Sequence, residues 1–225
     1  MDSTLPDPRD RQKFYFHATP FRKAVVALLD AGFRLVAKRE VTGLEHLPSE
    51  GPAVLAANHV TNFDVFPMQL CIPRPIFFMG KAELFKLWPL SAVFRNLGAF
   101  PVNRGEKDQW AIEHAARVLA HGQVLGMFPE GTRSKGHGLR VAKTGAARLA
   151  LDARCPIVPM AVVGSDRVLK TFPRRAPVSV RLLPPLMPGP DETALALTDR
   201  LMFTLAAALP LDMRGVYTQI PAGFS

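Results

Sequence analysis

The stretch NHVTNFD at residues 58–64 holds a histidine and an aspartate that could handle a proton together. An aspartate bonded to one imidazole nitrogen fixes the tautomer and stabilises the imidazolium, leaving the other nitrogen to take a proton from a hydroxyl. The stretch contains no serine or cysteine to supply that hydroxyl, so a substrate can bring it. On a regular helix His59 and Asp64 would stand about 140° apart. They can meet if His59 ends a strand and Asp64 opens the next helix. A second stretch, FPEGTRS at residues 128–134, follows an apolar run. There Gly131 lets the backbone turn closely, exposed N–H groups at such a turn can form an anion nest, and Arg133 offers a planar fork of donors suited to phosphate. Glu130 is a poor phosphate ligand. It reads better as an anchor for the loop or an arginine, or as a partner for a substrate hydroxyl. Lys81 and Arg104 follow two further strand candidates, so three cations can face one rim.

The elements that must position these groups can be read from periodicity. AVLAA is a short buried strand running into His59, and Thr61 or Asn62 caps the helix after it. PIFFMG, AFPVNR, QVLGMF, CPIVPMAVVG and PVSVRLL read as further strands. AELFKLWPLSAVFRNLG is a helical connection. QWAIEHAARVLAHG is an amphipathic helix with Trp110, Ile112, Ala116, Val118 and Leu119 among its apolar members, and KTGAARLALDA and DETALALTDRLMFTLAAAL are helices too. The alternation predicts an α/β fold with a mixed, largely parallel sheet flanked by helices. Near the N-terminus, TPFRKAVVALLDAGFRLVAKRE has helical spacing, but its longest charge-free run is residues 24–29, too short to cross a bilayer. It reads either as an amphipathic helix in the headgroup region or as a helix packed on the core.

Composition narrows the partners. The 28 Lys and Arg against 19 Asp and Glu give a formal charge of +9, which favours an anionic partner. No basic patch interleaved with aromatics suggests nucleic acid. Cys71 and Cys155 read as reduced thiols, metal-ligand spacings are absent, and no secretory signal opens the chain. His17, His46, His114, His121 and His137 have no matching carboxylate and read as structural.

Taken together, these blocks resemble the glycerolipid acyltransferases typified by 1-acyl-glycerol-3-phosphate acyltransferase. That family carries NH, four residues and D (here NHVTNFD), then a strand ending on arginine (GAFPVNR), then FPEGTRS, then an apolar VP-containing strand (PIVPMAV). KAEL and KTGAARLA look like its connecting segments, and the collinear match covers residues 41–164. Thr61 stands where serine is usual.

The resemblance implies that His59, oriented by Asp64, activates an acceptor hydroxyl for attack on the thioester of acyl-CoA or acyl carrier protein, with no covalent acyl-enzyme, cofactor or metal. Arg104, Glu130, Gly131, Thr132 and Arg133, with Lys81, would bind the glycerol phosphate of lysophosphatidic acid, and phosphatidic acid would be the product. The fourth block would shape the core or the acyl channel. It also implies a glycerol-3-phosphate acyltransferase-like sheet, with residues 1–40 an N-terminal tail and amphipathic membrane-surface helix, and residues 41–225 the catalytic domain. The protein would lie on the cytoplasmic face of the cell membrane, peripheral or monotopic. Other acceptors (another lysophospholipid, glycerol 3-phosphate, an acyl-ornithine lipid), a thioester hydrolase and a non-catalytic binder of anionic membranes are the competing readings.

Overall fold

The computed structural model describes residues 7–103, 108–219 and 221–222. Seven strands form one sheet: β1 (Ala37–Thr42), β2 (Ala53–Ala57), β3 (Ile76–Lys81), β4 (Ala99–Val102), β5 (Val124–Met127), β6 (Ile157–Val163) and β7 (Ala176–Leu182). Their order is β1-β7-β6-β2-β5-β3-β4. β2 through β6 run parallel, β7 is antiparallel to β6, and β1 is parallel to β7. The carboxyl ends of five strands therefore share one rim, and β7 and β1 begin there. The expected mixed, largely parallel sheet is what the chain forms. β2 sits at its centre with every residue buried, as a strand covered on both faces must be. β7, nearer an edge, alternates buried Ala176, Val178, Val180 and Leu182 with exposed neighbours.

Helices cover both faces. α1 (Pro20–Val36) and α2 (Val65–Leu70) lie on one, while α4 (Gln109–Ala120), α5 (Gly145–Ala153) and α6 (Ala194–Ala208) lie on the other; α3 (Trp88–Asn96) joins β3 to β4. α1 opens on Pro20, with the Thr19 hydroxyl accepting from the Arg22 amide at 3.0 Å. Arg22 is buried: it donates to the carbonyls of Leu97 and Ile76 and to Gln69 Oε1, and burial lowers its pKa to about 10. α1 thus starts beneath the amino ends of β3 and β4 and ends where β1 leaves that shared rim.

Of the N-terminal segment expected at 1–40, the described residues from 7 onward contact α4 and the sheet. Residues 37–40 belong to β1, paired with β7. Arg9 bridges Asp7 and Asp108, and the Trp110 indole N–H donates to Asp10 at 2.8 Å. α4 buries Trp110, Ala111, His114, Ala115, Val118 and Leu119 and exposes Ile112, so its inner face is turned from the one the apolar residues suggested. The difference is His114, caged by Phe14, Phe16, Phe100 and Trp110 at 4.6–5.1 Å between ring centroids.

Among the described residues His114 Nδ1 has no hydrogen-bond partner. Burial, reinforced by Arg117 and Arg9 and opposed by Asp10, lowers its pKa from 6.5 to about 4. The unfolded chain then binds a proton below pH 6.5 that the folded protein refuses until about pH 4. Stability should fall as pH drops through that window, by at most about 3 kcal/mol from this residue. Thermal melts from pH 7 downward check this: His114→Leu should flatten the acid-side slope, and an unchanged slope would remove the assignment.

Candidate active site

AVLAA delivers Asn58 and His59 to the rim at the end of β2. Asn58 is buried and pairs with Val162 across β6, donating to its carbonyl at 2.9 Å and accepting from its amide at 2.8 Å. The chain then makes a single 3-10 turn, residues Asn62–Asp64, before α2. Thr61 caps it: the hydroxyl accepts from Phe63 N at 3.1 Å while Asp64 accepts from the Thr61 amide at 2.8 Å. This turn solves the spacing problem. It brings Asp64 back beneath His59, with His59 Nδ1 2.9 Å from Asp64 Oδ2.

Asp64 is fully buried. Its Oδ2 accepts from the Val60 and Thr61 amides as well as from His59, and its Oδ1 accepts from the Ser165 hydroxyl. With so many donors turned on it, the carboxylate acts as acceptor alone, so Nδ1 carries the imidazole proton and Nε2 holds a free lone pair. The ring lies flat on Phe128, 3.9 Å between centroids and 13° between planes. Imidazolium formed there would sit over the negative face of the phenyl ring.

FPEGTRS is bound to the first block through the backbone. The His59 amide donates to Glu130 Oε1 at 2.7 Å, and the Ser134 amide donates to the His59 carbonyl at 2.7 Å. Glu130 Oε2 accepts from the Arg140 amide at 3.0 Å. Glu130 is buried, and burial raises its pKa against the lowering effect of these bonds. Of the roles open to it, this geometry is that of a loop anchor: both carboxylate oxygens face backbone N–H groups. Gly131 holds φ +66, and a Cβ there would come 3.3 Å from the Lys143 side chain.

His59 opens into a cavity of about 330 Å³ lined by Phe78, Met79, Val102, Met127, Phe128 and Ala146, together with Asn103, Gly131 and Lys143. No serine, threonine or cysteine lines it among the described residues. Lys81 ends β3 beyond Phe78 and Met79; it is exposed and 3.1 Å from Glu83. Arg133 and Thr132 are exposed, and Arg133 lines a separate groove with Thr61, Lys135 and Lys170. Arg104 lies outside the described residues. The fourth block, in β6, is core: Ile157, Val158, Met160 and Val162 are fully buried, and none lines the His59 cavity.

Lys143, Ser165 and Phe128 are functional candidates that reading the sequence left unassigned. Lys143 belongs to KTGAARLA, which resembles a connecting segment, yet its side chain lies over Gly131 and lines the same cavity as His59. Ser165 follows β6 and reaches Asp64 from 101 positions away. The C-terminal tail was equally silent. It closes over the FPEGTRS loop, with Leu139 N donating to Met213 O at 2.9 Å, Val216 N to Leu139 O at 3.1 Å and Ala142 N to the Tyr217 hydroxyl at 3.3 Å.

A family model described as Acyltransferase matches residues 38–163, which include both blocks. The chain is 32% identical to a 1-acyl-sn-glycerol-3-phosphate acyltransferase of Bacillus subtilis (strain 168) over 134 residues, 59% of this chain and 66% of the relative. It therefore spans just under two thirds of that relative's length. It is 31% identical over 200 residues to 1-acyl-sn-glycerol-3-phosphate acyltransferase alpha of Homo sapiens, covering 82% of this chain and 70% of the human protein. Its fold matches the crystal structure of the 1-acyl-sn-glycerophosphate (LPA) acyltransferase PlsC from Thermotoga maritima, with TM-score 0.67 and 20% identity over 83% of this chain and 79% of that one. The matched segment carries the buried Asp64, the His59 it orients and the loop that braces them, and the chain belongs to the Acyltransferase family.

Proposed function

We propose that this chain transfers a fatty acyl group from acyl-CoA or acyl carrier protein to the free hydroxyl of 1-acyl-sn-glycerol 3-phosphate, forming phosphatidic acid. The observation that carries this reading is the pairing of an oriented base with a largely apolar cavity that has no serine, threonine or cysteine among its described lining residues. In this reading the hydroxyl under His59 belongs to the acceptor. Its proton passes to Nε2 as its oxygen attacks the thioester carbonyl. The tetrahedral intermediate collapses with cleavage of the carbon–sulfur bond, and the imidazolium returns the proton to the departing thiolate. Asp64 stabilises the imidazolium in between. Neither cysteine competes as a nucleophile: burial pushes the Cys155 thiol up to about 11 and raises that of Cys71.

The acceptor phosphate is assigned to Arg133 and Lys81, with Lys143, which lines the His59 cavity, and Arg104 as further candidates. Glu130, Gly131 and Thr132 shape the loop that presents Arg133. Arg133→Ala should raise KM for lysophosphatidic acid by about tenfold or more, the worth of a charge-assisted hydrogen bond, with a smaller change in kcat. Steady-state kinetics with a varied acceptor check this, and an unchanged KM would remove Arg133 from the phosphate site.

We infer also that the protein works on the cytoplasmic face of the cell membrane, held peripherally or monotopically. No helix among the described residues is long and apolar enough to cross a membrane. What supports a surface mode is the outer side of α1, where Phe21, Ala24, Leu28, Ala31 and Leu35 are exposed at helical spacing, Leu28 and Leu35 each 73%.

Thiol release from acyl-CoA, with and without lysophosphatidic acid in mixed micelles, tests the function, with the lipid product identified by mass spectrometry. Acceptor-dependent release with phosphatidic acid formed is the expected result. Release without acceptor would replace this reading with hydrolysis.

A further inference from the structure

The chain after α6 lies beyond the matched region, which ends at residue 163, yet it packs on the loop that braces His59. It makes two single 3-10 turns, Leu211–Met213 and Gly215–Tyr217. The Leu139 amide donates to the Met213 carbonyl, and the Leu139 carbonyl accepts from the Val216 amide. Two glycines permit this crossing. A Cβ on Gly215 would overlap the Leu139 carbonyl oxygen, and one on Gly138 would come 2.5 Å from the Gly215 nitrogen. Gly215 also holds φ +53. Main chain therefore meets main chain with no side chain between.

Tyr217 makes a second tie. Its ring stands edge-on to Phe203 of α6, 5.4 Å between centroids, and its hydroxyl accepts from the Ala142 amide at 3.3 Å. Residues 139–143 have no helix or strand of their own. Their other side is held by the FPEGTRS block, where the Arg140 amide donates to Glu130 Oε2 and the Lys143 amide donates to the Pro129 carbonyl at 2.9 Å. These residues are thus a bridge: Leu139 and Ala142 bond to the tail, Arg140 and Lys143 to the site. Lys143 depends most on it. Its side chain lines the His59 cavity and stands over Gly131, with no hydrogen bond or ion pair to hold it among the described residues. The main chain on either side then sets how far the ammonium reaches.

We propose that residues 211–217 form a positioning strap for the transfer reaction, in which Tyr217, acting through the Ala142 amide, sets the reach of the Lys143 ammonium toward an acceptor phosphate at the His59 cavity. The role of Lys143 rests on the transferase reading, whereas the strap rests on its contacts. Tyr217 touches no substrate in this scheme. The bonds that orient His59 come from Asp64, whose other donors are Val60, Thr61 and Ser165, so the strap governs acceptor binding and leaves the base alone.

Hydrogen exchange reads the strap, and kinetics read its purpose. In Gly215→Ala the amides of residues 139–143 should exchange at least about tenfold faster, because the added Cβ parts the two backbones. Tyr217→Phe keeps the ring on Phe203 and removes only the acceptor of the Ala142 amide, so it tests the strap independently and should also speed exchange there. Tyr217→Phe should raise KM for lysophosphatidic acid about threefold to tenfold, the worth of one neutral hydrogen bond, with kcat within about twofold. Lys143→Ala should raise the same KM, and adding Tyr217→Phe to it should raise it less than about twofold further. A Tyr217→Phe effect that persists in full without Lys143 would overturn the proposal, as would unchanged exchange at residues 139–143 in both variants. A lower melting temperature with KM unmoved would make Tyr217 merely structural and overturn it too. Faster exchange in both variants of a protein that forms no phosphatidic acid would overturn the transferase reading and leave the strap.

Discussion

His59→Ala is expected to lower kcat for acyl transfer by about three to four orders of magnitude, the contribution of a positioned general base and acid. KM for either substrate should move little, because the lost interaction is made with a proton in flight. The fold should tolerate the change. The bonds that tie this residue to the FPEGTRS loop belong to its backbone: the amide donates to Glu130 and the carbonyl accepts from Ser134. Asp64 also keeps the Val60 and Thr61 amides and the Ser165 hydroxyl as donors when the imidazole is gone. The structural loss is then the stack on Phe128, about 1 kcal/mol. Single-turnover rates and thermal melts on the same preparation check both halves. A variant that keeps its rate within tenfold would remove His59 as the base, whereas a large fall in melting temperature would mean that the ring helps to hold the loop.

The pairing of His59 with Asp64 was legible because the strand ending at Ala57 and the capped turn at Thr61 are both local signals, and together they leave one way for the side chains to meet. The sheet was legible for a similar reason: short apolar runs separated by amphipathic helices. What stayed hidden depended on contacts between distant residues. Helical spacing carried the reading of the first helix through residue 40, where Lys38, Arg39 and Glu40 favour helix locally, but pairing with β7 takes residues 37–42 into the sheet. His114 read as structural, but nothing local showed that Phe14 and Phe16, about a hundred positions earlier, close over it. Arg22 is one of the charges that interrupt the apolar first helix, yet it is buried and caps the carbonyls beneath β3 and β4. Lys143 carried a faint signal, since it precedes a glycine that opens α5. Its reach over Gly131 follows from the turn of a loop braced by Glu130, which no periodicity reports.

Asp64→Ala and Asp64→Asn should separate the two tasks of this carboxylate, support of the loop and electrostatic partnership with His59. Alanine leaves the amides of Val60 and Thr61 without their acceptor at a buried position. Each orphaned donor costs about 1–3 kcal/mol, so the variant should lose about 2–6 kcal/mol of stability along with nearly all activity. Asparagine behaves differently because the donors dictate its orientation. Backbone N–H groups cannot turn away, so the amide oxygen must take the place of Oδ2, where it still accepts from Val60, Thr61 and His59 Nδ1. The amide nitrogen then faces the Ser165 hydroxyl, which can rotate from donor to acceptor. The loop and the tautomer both survive, and what disappears is the negative charge opposite the imidazolium. Asp64→Asn should therefore retain most of the stability while kcat falls by about two to three orders of magnitude, less than for His59→Ala. Combining it with His59→Ala should cost little further activity, because an anion that acts through the imidazole has nothing to act on once the ring is gone. Urea denaturation and steady-state rates across the four proteins check the scheme. An Asp64→Asn variant as unstable as Asp64→Ala would show that the charge itself holds the loop. Additive losses in the double variant would show that Asp64 acts on the reaction by a route other than His59.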